Sequence, residues 1–146
     1  MGFDNYVKVE FKNKSSNEGF ARVVVAAFAS QLDPTVEQLA DIKTAVSEAV
    51  TNAIVHGYAD KAGNVLMECT MLGKVVTITV QDFGRGIEDV EQARQPLYTT
   101  NADDERSGMG FTVMEMFMDT VEVTSEVGMG TRVVMTKDLD KKEEEE

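Results

Sequence analysis

The chain has 146 residues, 42% of them hydrophobic and 27% charged, which supports one ordinary globular core and leaves no room for a second domain of usual size. Its 26 acidic residues against 14 basic ones give a net charge of −12, which opposes phosphate backbones and argues against a nucleic-acid-coating role. The lone cysteine, Cys69, excludes an intramolecular disulfide and a cysteine-built zinc site, and so points to a reducing, cytoplasmic setting.

Tyr6 to Phe11 alternates and predicts a strand. Glu18 to Gln31 reads as a helix stopped by Leu32-Asp33-Pro34, and its wholly apolar stretch, Val23 to Ala29, is far short of the roughly 20 residues of a membrane span. The opening Met1-Gly2-Phe3-Asp4 has no basic region leading an apolar stretch, so no secretory signal is expected. A second helix is predicted from about Thr35, with Glu37 in its first turn, to Gly57. Val65–Met71 and Lys74–Asp82 are predicted as a hairpin turning at Leu72-Gly73. Phe83 to Ser107 reads as irregular, with at most a short helix around Val90–Arg94, and a loop that long in a small domain is usually functional. Gly110–Met118 reads as a helix, and Val121–Val127 with Thr131–Lys137 as a last hairpin. Lys141 to Glu146 reads as a solvated acidic tail, leaving 1–140 as the single folded domain. The order predicts an α+β, two-layer α/β sandwich: a mostly antiparallel sheet with helices on one face.

Four segments carry chemistry. On the second helix Ile42, Ala45, Val46, Ala49, Val50, Ala53 and Ile54 form one apolar stripe, and Glu48, Asn52 and His56 align one turn apart along its edge. On the next hairpin Val76, Ile78, Val80 and Asp82 share a face, and an aspartate continuing an apolar face needs a polar partner. It leads into Asp82-Phe83-Gly84-Arg85-Gly86-Ile87, whose glycines let a ligand approach the backbone. Arg106-Ser107-Gly108-Met109-Gly110-Phe111 places a Gly-x-Gly at a predicted helix start, where free N–H groups suit an anion. Gly128-Met129-Gly130-Thr131 closes the last hairpin. No Gly-x-x-x-x-Gly-Lys-Ser/Thr and no Gly-x-Gly-x-x-Gly occurs, which excludes a Walker-A loop and a Rossmann fingerprint.

Glu-x-x-x-Asn, Asp-x-Gly-x-Gly, Gly-x-Gly and Gly-x-Gly-Thr in this order resemble the Bergerat-fold ATPase and kinase superfamily of gyrase, histidine kinases and mismatch-repair ATPases. Ser47–Tyr58, Ala93–Thr100, Glu105–Phe111 and Phe20–Phe28 are similar to the anti-sigma F factor family of endospore-forming bacteria, over roughly Glu18 to Val134. That resemblance implies an ATP-dependent serine-protein kinase that also sequesters a sporulation sigma factor and phosphorylates an anti-anti-sigma protein. It implies a homodimer that engages neither nucleic acid nor membrane. It makes Glu48 the general base, Asn52 the Mg²⁺ ligand, Asp82 the reader of the adenine amine and Thr131 its helper. Gly84 and Gly86 would make room for the base, with Ile87 and Ala53 packed on it. Thr99, Thr100 and the run Arg106, Ser107, Gly108, Met109, Gly110 and Phe111 would form a lid over the phosphates. Arg22 would face a protein partner. His56 reads as a helix-end residue and not a phospho-acceptor, and the methionines around the last helix as core. A general-stress anti-sigma kinase and a non-catalytic, ATP-gated binding module remain open as alternatives.

Overall fold

The computed structural model describes residues 2–58, 61–95 and 105–140, and residues 105–109 by backbone only. Five strands run β1 (Asn5–Lys12), β2 (Asn64–Leu72), β3 (Val75–Asp82), β4 (Thr120–Glu126) and β5 (Gly130–Asp138). They form one sheet in the order β1-β2-β3-β5-β4, with every neighbouring pair antiparallel. The period-two pattern decides which residues point inward. Along β3, Val76, Ile78, Val80 and Asp82 are buried and their neighbours are not, as the alternation predicts. Cys69 lies on the inner face of β2, where burial pushes its thiol up to about 12 and leaves it a packing residue.

Helices α1 (Ser16–Ala29), α2 (Val36–Thr51) and α4 (Glu105–Phe117) belong to the second layer, α2 packing against both α1 and α4. All seven apolar stripe residues from Ile42 to Ile54 are buried, since the stripe is the face that α2 turns to the core. The α2 start is fixed by a capping box: Thr35 Oγ1 accepts from the Gln38 N–H at 3.0 Å, and Gln38 Oε1 accepts from the Thr35 N–H at 2.9 Å. Gln38 is itself buried and donates through Nε2 to the Leu139 carbonyl, tying this helix start to the end of β5. Met114 and Met118 are core residues, as expected, whereas Met116 is 69% exposed. Among the described residues no helix is long and apolar enough to cross a membrane.

Three element boundaries differ from the expectation. The first helix gives way at Ser30–Leu32 to a 3₁₀ turn closed by Asp33 in the left-handed region at φ 56°. The second helix stops being α-helical at Thr51 and continues through Asn52–Gly57 as a π-helical turn. Tertiary partners hold this wider turn. Asn13 Nδ2 donates to the carbonyls of Ile54 and Lys61, while the Arg85 backbone N–H and Nε donate to the carbonyls of Gly57 and His56. Helix α4 begins at Glu105, upstream of the predicted start at Gly110, whereas the short helix α3 (Val90–Ala93) falls where one was allowed for, around Val90–Arg94. The helical cost of two glycines is about 1 kcal/mol each, and burial of Phe111, Met114 and Met118 outweighs it.

Candidate functional site

A cavity of about 540 Å³ opens between the π-turn, the end of β3, the β4–β5 hairpin and α3, a volume suited to a small-molecule ligand. Its wall includes Ala49, Asn52, Ala53 and His56 from the helix, and Val80 and Asp82 from β3. Gly86 and Ile87 from the following loop, Gln92 and Ala93 from α3, Phe111 from α4, and Thr131 and Val133 from β5 also line it. Helix and strand residues 30 positions apart in sequence, Asn52 and Asp82, thus face one space because the π-turn that continues α2 packs against β3.

Asp82 is 5% exposed, and the Gly84 N–H at 3.0 Å and the Thr131 N–H both donate to its carboxylate. Burial nevertheless raises its pKa above the usual value of 3.8, the two N–H groups pulling the other way. Gly57 is as important to this geometry as the predicted residues: a Cβ there would lie 2.7 Å from the Asp82 carboxyl carbon. Gly84 is not among the residues lining the cavity, and its missing side chain admits the Gly57 carbonyl oxygen, which a Cβ would meet at 1.8 Å. Gly86 does line the cavity, held at φ +78° by the close approach of the Glu126 carbonyl.

At the other end, Asn52 and Glu48 face α4. A Cβ on Gly110 would come 3.0 Å from Asn52 Nδ2 and 3.5 Å from Glu48 Oε1, so the glycine sets how closely α4 crosses these two side chains. This changes the reading of the Gly-x-Gly: both glycines lie within α4, not at its opening, and the free N–H groups of the helix start lie upstream of Gly108. Phe111 is buried and forms part of the cavity wall. Thr99 and Thr100 lie outside the described residues, as do the side chains of Arg106, Ser107 and Met109. Arg22 stands apart from the cavity on α1, where it donates to Glu18 Oε2 at 2.6 Å and Ser47 Oγ at 3.1 Å, flanked by the half-exposed Phe20 and the exposed Val23.

Three residues were missed by sequence reasoning. Arg85 holds the π-turn as described above. Tyr58 receives the Phe83 N–H at 2.7 Å and donates to the Asn64 carbonyl, occupying the rung beyond the last paired residues, Val65 and Asp82. Burial pushes its phenol above the ordinary value of 10.0, so it remains a donor. Ser125, the third, continues the inward face of Val121 and Val123, the same signal that marked Asp82.

A buried carboxylate at a strand end thus faces a helical asparagine across one cavity, and residues 12–137 match the family model described as a histidine kinase-like ATPase domain. The fold agrees with solved structures. The RsbU and RsbW domains of a Mycobacterium tuberculosis protein align at a TM-score of 0.68 and 20% identity, over 92% of this chain and 32% of that one. The catalytic domain of the histidine kinase ThkA aligns at 0.59 and 14%, over 91% and 96%. The anti-sigma F factor of Thermoanaerobacter pseudethanolicus is 58% identical over 137 residues, 94% of this chain and 96% of that protein. That of Clostridium perfringens strain SM101 is 58% identical over 93% of this chain and 98% of its own length. The chain belongs to the anti-sigma F factor family of histidine kinase-like ATPase domains.

Proposed function

We propose that this protein binds Mg²⁺-ATP, phosphorylates an anti-anti-sigma protein on serine, and sequesters a sporulation sigma factor, acting as a homodimer in the cytoplasm. The observation that carries the nucleotide reading is the pairing of Asp82 and Asn52 across one cavity. Asp82 accepts from the exocyclic amine of adenine, while Ala53 and Ile87 pack against the base. Thr99, Thr100 and the segment from Arg106 to Phe111 cover the phosphates.

Asn52 would hold magnesium through its amide oxygen. A single amide oxygen suits magnesium, a hard cation that binds oxygen ligands and would keep most of its waters there. When bound, the ion offsets charge on the phosphoryl group in transfer. Glu48, one turn before Asn52, takes the proton of the acceptor serine as its oxygen bonds to the γ-phosphorus and the bond to ADP breaks. A carboxylate at that position favours a kinase over a module that ATP merely gates. Arg22, with Phe20 and Val23 beside it, forms part of the partner surface. The names of the relatives support the sigma-factor partner.

Incubation with γ-labelled ATP and a candidate anti-anti-sigma protein tests this reading. Label on a partner serine is the expected result. Tight partner binding without transfer overturns the kinase assignment in favour of the gated module.

A further inference from the structure

The inner face of the sheet ends in one row that crosses all five strands: Phe11, Val65, Asp82, Thr131 and Ser125 are successive cross-strand partners. Two apolar residues are followed by three polar ones, all on the side that meets the cavity end. Asp82 and Thr131 line the cavity, and Ser125 stands immediately behind Thr131.

The hydroxyl of Ser125 is fully committed. It accepts the Ile87 N–H at 2.7 Å, donates to the Gly130 carbonyl at 3.0 Å, and lies 2.8 Å from Thr131 Oγ1. A serine hydroxyl has one proton and two acceptor lone pairs. Either oxygen of the Ser125–Thr131 pair could give its proton, but the Gly130 carbonyl can only accept; with the Ser125 proton committed there and one lone pair to Ile87, Thr131 is left as the donor. Its own proton thereby points away from the cavity, and only its lone pairs remain for a ligand. Asp82, as carboxylate, is also an acceptor. The two side chains on this row that reach the cavity therefore both ask a ligand for hydrogens.

We infer that Ser125 is a positioning residue for nucleobase choice: by holding the Thr131 proton it makes this end of the cavity an acceptor pair that selects a purine with a 6-amino group and rejects its 6-oxo counterpart. A 6-oxo purine can give its N1 hydrogen to Asp82, but its O6 then meets the lone pairs of Thr131 and finds no donor there. The inference rests on the nucleotide reading above and adds the residue that sets its selectivity.

Equilibrium binding of ATP and inosine triphosphate to the full chain, with magnesium, tests it by calorimetry. Wild-type protein binds ATP more tightly. In Ser125→Ala the Thr131 hydroxyl turns to meet O6, and the ATP preference shrinks about fivefold to tenfold, the worth of one hydrogen bond. Ser125→Thr retains the hydroxyl and the preference. Thr131→Val shrinks the preference similarly, and adding Ser125→Ala in that background changes it no further, as two residues acting through one contact require. An unchanged ratio in a folded Ser125→Ala protein, or equal weakening of both nucleotides, overturns the inference while leaving ATP binding intact. If Ser125→Ala does not fold, Thr131→Val decides, and an unchanged ratio there has the same consequence. Failure of the wild-type chain to bind ATP removes the nucleotide reading and this inference together.

Discussion

The two ends of the cavity are held by different means. At the Asp82 end the polar groups sit on adjacent strands, and each is fixed by a backbone N–H, a backbone carbonyl or a short hydroxyl. At the Asn52 end, Glu48 and Asn52 lie on one helix and face Gly110 on another, some 60 positions later in the chain, with steric fit between helices setting the spacing. On the proposed reading, recognition is built on a sheet, whose ladder of hydrogen bonds fixes the register, and the chemical step where two helices meet. Perturbing the first end should then change which nucleotide binds, and perturbing the second what happens to it.

The sharpest way to break this division is Glu48→Ala. Phosphoryl transfer should fall about 10²–10⁴-fold, the usual worth of a positioned base, while ATP affinity stays within a few-fold. Single-turnover transfer beside equilibrium binding reads both, and parallel loss would merge the two ends into one.

Asp82→Asn comes next: ATP affinity should drop about 100-fold or more, because an amide presents a donor toward the adenine amine and leaves a buried pairing unmet. Acidity separates its two roles. The folded chain holds the Asp82 proton to higher pH than the unfolded chain, so this group's stabilising contribution is present below 3.8 and lost as pH rises through the raised folded pKa. ATP affinity should run the other way, rising over the same window as the carboxylate forms. Thermal melts of the nucleotide-free protein and titrations across that range should show opposite slopes, and Asp82→Asn should remove this group's contribution to the first.

The smallest effect belongs to Tyr58→Phe. Removing the hydroxyl leaves the Phe83 N–H and the Asn64 carbonyl without their shared partner, which should lower stability by about 1 kcal/mol. ATP affinity should weaken a few-fold through the looser strand end beside Asp82, with transfer from bound ATP unchanged. A fall in transfer at saturating ATP would show that the sheet end also governs the chemistry.

Much of this was legible in the chain. The alternation Val76, Ile78, Val80, Asp82 announces a strand whose last inward residue is polar, and the Ile42–Ile54 stripe announces the helix that covers it. Ser125 carried the same signal after Val121 and Val123, but a serine costs less to bury than an aspartate and so stands out less. What Gly84 makes room for was not legible, because a glycine's freedom says only that something comes close. The neighbour is the Gly57 carbonyl, brought from 27 positions away. The start of α4 was placed late because two glycines read locally as a break, while buried Phe111 and Met114 carry the helix through them.

By itself the sequence determined the layers, since the periods 2 and 3.6 fix which side chains each strand and helix must hide. It also determined the chemical kinds present at the site, one carboxylate at a strand end and one amide on a helix edge. Only the tertiary structure decided the π-turn at Asn52–Gly57, the contact of Ser125 with Thr131 and the close approach of Gly110 to Asn52 and Glu48. Each depends on hydrogen bonds or close packing between segments far apart in the chain, and no local preference encodes which distant group will arrive.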